Sequence, residues 1–134
     1  MENLQHQDEN TNEVETSSAS LPINKVYPDS DLIHFPYVTR EHEDYNEWEI
    51  NREVSEKFAE YIKNISVKTI LDLNCKNGWF TNLIAKNNYA KVLGVDDNID
   101  TLKQAQRVFI KDNLIFKKED VFNRFHFEEL KKLS

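Results

Sequence analysis

A single cysteine, Cys75, stands in this chain of 134 residues, so no intrachain disulfide can form. Long apolar runs are missing too. Nothing near the start resembles a signal peptide or a membrane span, and the expectation is a cytosolic protein with no membrane contact. Basic runs are also absent. With a pI near 5.1 and a formal charge of -7 there is no electrostatic footprint for phosphate backbones, so nucleic acid is not indicated and a small-molecule ligand fits better. With 134 residues, one modest domain rather than a large two-domain enzyme is the expectation, and 39% apolar residues allow one modest core.

The negative charge is uneven. Glu2, Asp8, Glu9, Glu13 and Glu15 precede the first Lys or Arg, leaving the remainder at about -2. Residues 1–24 read as a disordered acidic tail, since they hold too little apolar surface to offset the entropy of ordering. Residues 25–49, broken by Pro28 and Pro36 and rich in aromatics, read as an irregular arm packed on a domain. That domain is expected over 50–134.

Within it, Ile50, Val54, Phe58, Tyr61 and Ile62 recur at helical spacing and predict one buried stripe. The period then changes. Residues 67–73, VKTILDL, are a short β-branched run that predicts a strand buried on both faces of a parallel sheet. A helix from Gly78 with Phe80, Leu83 and Ile84 on one face follows, then a strand AKVLGVD ending at Asp96. Next come a helix capped by Asn98 that turns Leu102, Ala105 and Phe109 inward, and a third strand NLIFKKEDV. A short amphipathic helix carrying Phe125, Phe127, Leu130 and Leu133 closes the series. Strand and helix alternating through short connections define an α/β fold with a parallel sheet.

Ligands of such sheets bind beyond the carboxyl ends of the strands, where the first loop feeds a helix N-terminus. Asp72 to Gly78 occupies that place. Glycine is wanted in such a loop for positive φ and for close approach of a ligand. Gly78 meets the need at the helix start, Asn74 and Asn77 tolerate left-handed geometry, and Lys76 is the awkward residue. Asp96 follows Gly78 by 18 residues at a strand end, where a carboxylate can accept hydrogen bonds from both hydroxyls of a ribose.

The run VKTILDLNCKNGWFTNLIAKNNYAKVLGVDDNIDTLKQAQ, followed by LIFKKEDVF, resembles motifs I to III of class I S-adenosylmethionine-dependent methyltransferases. The family's D-x-G-x-G-x-G falls on Asp72, Asn74, Lys76 and Gly78. The resemblance implies a Rossmann-like sheet with S-adenosyl-L-methionine as cofactor. It places the ribose acid at Asp96, the adenine-contacting acid at Asp120 with Val121 beside the ring, and Asp97 where the family commonly has an apolar residue against the adenine. It also implies a longer sheet in which the first strand is central. The chain supplies three strands, so the expectation is a domain truncated after the third, with an apolar first-strand edge. No methyl acceptor and no catalytic residue are implied.

Simpler roles compete for the same residues. Asp72 can cap backbone N–H groups of its loop, and Asp96 and Asp120 can be solvated strand ends. Trp79 is expected to pack beneath the arm, His34 and His42 lack metal-ligand spacing, and Cys75 has no partner that would make it a nucleophile. The leading expectation is the cofactor-binding part of a methyltransferase. The alternative, prompted by Asn74, Lys76 and Asp97, is an inactive methyltransferase-like scaffold.

Overall fold

The computed structural model describes residues 25–120 and Lys132. The expected tail at 1–24, Val121 and the helix expected after it lie outside the described residues. Four helices and three strands follow in order: α1 Asp29–Leu32, α2 Tyr45–Lys63, β1 Thr69–Leu73, α3 Trp79–Lys86, β2 Lys91–Asp96, α4 Ile99–Val108 and β3 Leu114–Lys118.

All three strands are parallel, in the order β1-β2-β3. Asp72 lies opposite Gly94, and Asp96 opposite Lys118. This is the α/β architecture expected, with β1 at an edge of the sheet. Central β2 is the best buried, with Val92 and Val95 at 0% exposure, as a Val-rich strand with neighbours on both sides should be. β1 departs from expectation. Thr69 to Asp72 are only half-buried and Leu73 is exposed, because β1 has one hydrogen-bonded neighbour among the described residues.

Phe116 on β3 explains the placing of the chain's two glycines. A Cβ on Gly78 would lie 2.6 Å from Phe116 Cζ, and one on Gly94 would lie 2.9 Å from its Cδ1. The ring therefore fills space that any larger residue at either position would occupy. Around it α4 buries Leu102 and Ala105, and α3 buries Leu83 and Ile84. Leu32 and Leu102, both 0% exposed, each contribute about 1.5–3 kcal/mol of burial.

Helix α2 corrects the sequence reading in two ways. It starts at Tyr45, not Ile50, so Trp48 belongs to its first turn and is fully buried. Its inner face is Trp48, Ser55 and Ala59, whereas Ile50, Val54, Phe58 and Tyr61 are exposed and only Ile62 of the expected stripe is packed on the core. The single large anchor at Trp48 and the small residues below it decide which side faces inward.

The arm is folded onto this helix. Trp48 packs against Phe35 at 4.3 Å between ring centroids and edge-on against Trp79 at 4.9 Å. Asp44 precedes α2 but does not cap it with its side chain. Its carboxylate instead accepts from Lys25 Nζ at 2.7 Å and Tyr27 Oη at 2.8 Å, while Tyr27 Oη accepts from Trp48 Nε1 at 3.1 Å. Burial, first, pushes the Tyr27 hydroxyl up to about 12. At its other end the arm is fixed to α4, where Arg107 donates twice to Asp29 and Gln104 donates to Tyr27 O and Asp29.

Candidate functional site at the carboxyl ends of the strands

The loop joining β1 to α3 is built on alternating left-handed residues: φ is 58° at Asn74, 56° at Lys76 and 82° at Gly78. These are the three positions at which the resembled motif has glycine. Asn77, which would tolerate this geometry, does not adopt it, and Lys76 does. A left-handed lysine carries a steric penalty of roughly 1–2 kcal/mol, so neighbouring bonds must hold it there. Cys75 N donates to Val95 O at 2.9 Å, Gly78 N to Cys75 O at 3.0 Å, and Lys76 N to Asp96 Oδ2 at 2.9 Å.

Asp96 is the hub of the strand ends. Its Oδ1 accepts from Asn98 N at 3.0 Å and its carbonyl accepts from Glu119 N at 2.9 Å, so three segments meet on one residue that is 5% exposed. Asn98 in turn caps α4 through Asp100 N at 3.0 Å and Thr101 N at 3.3 Å, as expected from sequence. Asp97 and Asp120 are exposed at the ends of β2 and β3.

Asp72 is half-buried at the end of β1, and Thr81 Oγ1 donates to its Oδ2 at 2.7 Å. Burial raises its pKa, the Thr81 bond opposes that, and the negative charge of Asp96 raises it further. The Cys75 thiol is buried and pushed well above its ordinary value, first by burial and then by the charges of Asp72 and Asp96, so it offers no thiolate.

Two hollows flank Lys76. One, of about 370 Å³, is lined by Asp72, Asn74 and Lys76 of the loop and by α2 residues that include Asn51, Val54 and Phe58. The other, of about 220 Å³, lies toward α4 and the arm, and is lined by Lys76, Asn77, Thr101 and Gln104 among others. Asn77 is 4% exposed and its Oδ1 has no partner among the described residues. A larger hollow of about 950 Å³ lies at the opposite end of the sheet, between Lys63–Lys68 and Lys86–Ala90, remote from this loop. Among the described residues no group of three or more His, Cys, Asp or Glu is placed to hold a metal ion, and no helix is long and apolar enough to cross a membrane.

The structure therefore gathers Asp72, Asn74, Gly78, Asp96, Asp97 and Asp120 at one edge of the sheet. Sequence reasoning missed Thr81, whose hydroxyl faces a residue nine positions earlier, and the double fastening of Asp96.

No protein-family model and no curated protein sequence matches this chain. Among solved structures it is similar to coclaurine N-methyltransferase, crystallised with N-methylheliamine and SAH, at 17% identity and a TM-score of 0.47. That likeness covers 88% of this chain and 39% of that enzyme, so the chain spans about two fifths of its length.

Proposed function

We propose that the carboxyl edge of this sheet binds S-adenosyl-L-methionine, and that the chain is the cofactor-binding part of a methyltransferase. The observation that carries the reading is the left-handed geometry at Asn74, Lys76 and Gly78, in a loop fastened to Asp96. Backbone of that kind lets a ligand approach closely and leads into α3, whose first turn has no side-chain cap. The 370 Å³ hollow is within the range of small-molecule sites and is lined by both polar and apolar side chains, as a ligand with both characters requires.

Asp72 and Asp96 supply carboxylates of the sign that suits a sulfonium and an ammonium. Each Asp96 oxygen accepts one backbone N–H and keeps a further lone pair for a ribose hydroxyl. Asp97 and Asp120 are exposed at the neighbouring strand ends for contacts to the nucleoside. When bound, the cofactor supplies an electrophilic methyl group, and the chain's residues hold and orient it.

The alternative, an inactive scaffold, drew on Asp97 and on the two missing glycines, at Asn74 and Lys76. The loop keeps its left-handed turns without them, which favours a working site. Calorimetric titration with S-adenosylmethionine and S-adenosylhomocysteine tests the reading, and no heat of binding at millimolar ligand would sink it. Replacing Asn74 and Lys76 by glycine separates the two readings: a scaffold gains binding, an adapted site loses it or hardly changes.

A further inference from the structure

We propose that Lys76 selects the ligand by its carboxylate, closing as a cation on the amino-acid end of the bound molecule. The inference rests on the cofactor reading above and adds a specificity-determining residue where the resembled motif has glycine.

Three observations point to it. Lys76 keeps a left-handed backbone at φ 56°, a conformation that few residues other than glycine adopt, while the bonds to Asp96 and around Cys75 hold the loop in place. Its side chain is exposed, lines both flanking hollows, and its ammonium makes no hydrogen bond or ion pair among the described residues. Lys25, which shares the smaller hollow, is already paired with Glu43 and Asp44, and the other charged groups around Lys76 are of opposite sign to it. Asp72 borders the 370 Å³ hollow, Asp96 holds the Lys76 amide, and Asp97 follows.

Those carboxylates suit the cationic portion of a zwitterion and repel its carboxylate. An α-amino acid group enters only if a cation answers that repulsion, and Lys76 is the lysine on this loop. A ligand with the nucleoside and thioether but no carboxylate gains nothing from Lys76. The lysine therefore sets a preference between ligands rather than a general affinity.

The test is calorimetry on the whole chain with two probes, S-adenosylhomocysteine and the same thioether lacking its α-carboxyl group. The unmodified protein should prefer the carboxylated probe by roughly ten- to hundredfold, the worth of one charge-assisted hydrogen bond. Lys76→Met should abolish that preference, read as the ratio of the two affinities within the one variant, and Lys76→Arg should restore it. Lys76→Gly, whose backbone suits the positive φ, is the second variant should methionine disturb the loop, and it should behave as Lys76→Met does. An undiminished preference in Lys76→Met or Lys76→Gly overturns this inference and leaves the cofactor reading standing. Failure of the unmodified protein to bind either probe overturns both.

Discussion

The backbone N–H of Lys76 donates to Oδ2 of Asp96 at 2.9 Å across 20 residues of sequence, and this bond fixes the loop above the sheet. The same carboxylate takes the N–H of Asn98 at the start of α4. Truncating Asp96 leaves two N–H groups without their acceptor in a poorly solvated place. Asp96→Ala should lose roughly 2–4 kcal/mol of stability together with ligand binding, whereas Asp96→Asn, which keeps one acceptor oxygen, should lose less. Denaturant unfolding of the three proteins checks the order. An alanine variant as stable as the original would mean that the hub holds nothing.

Phe116 and the two glycines form a single packing unit. Gly78→Ala brings a Cβ within 2.6 Å of the ring and also disfavours φ of 82°, so it should destabilise by about 2–4 kcal/mol. Gly94→Ala meets Phe116 at 2.9 Å and Thr81 at 3.0 Å and should cost about 1–3 kcal/mol. Phe116→Leu makes room. In a double-mutant cycle it should recover part of either loss, and strictly additive effects would contradict the wedge.

Asp72 predicts a pH dependence. Its folded pKa is raised, by burial first and then by Asp96, so its contribution to stability is fully present when it is protonated and is lost as pH rises through the folded value. Asp72→Asn keeps an acceptor for Thr81 and removes the titration. It should melt above the original protein at neutral pH, converge with it in acid, and bind S-adenosylhomocysteine more weakly. Equal melting curves at neutral pH would dismiss the burial argument.

The arm is expected to be part of the folded unit, because Tyr27 serves two partners at once. Tyr27→Phe leaves the buried Trp48 indole N–H without an acceptor and should cost about 1–3 kcal/mol. Tyr37→Phe, at an exposed position, should cost little. The two tryptophans, Trp48 and Trp79, pack against each other, so fluorescence reports the loss directly.

The strands and the order of motifs were legible because β-branched runs, alternation with helices and a strand-end acid are local signals. The α4 cap at Asn98 was legible for the same reason: its acceptor and donors are within three residues. The inner face of α2 was not. Periodicity finds an apolar stripe but does not say which neighbour exists to cover it, and Trp48 lay beyond the assumed helix start. Lys76 was singled out as awkward, but its left-handed backbone was not legible, since propensity opposes a left-handed lysine and it is the distant Asp96 carboxylate that holds its amide there.

That uncovered stripe carries the last prediction. Ile50 and Tyr61, which do not line the 370 Å³ hollow, are each more than 60% exposed on α2, and Leu73 on edge strand β1 is 45% exposed. β1 pairs with β2 alone among the described residues, so one row of its backbone donors and acceptors has no strand partner there. An apolar helix face together with an open parallel edge favours association with another polypeptide, since both burial and strand pairing are gained at once. The chain should self-associate as its concentration rises. Ile50→Lys with Tyr61→Lys should suppress that association while changing stability by only about 0.5 kcal/mol, as expected for exposed positions. Adding Leu73→Lys, a charge at the sheet edge, should suppress it further. Sedimentation velocity over a concentration series decides the matter: a monodisperse, cooperatively melting monomer at every concentration would show that this face needs no partner.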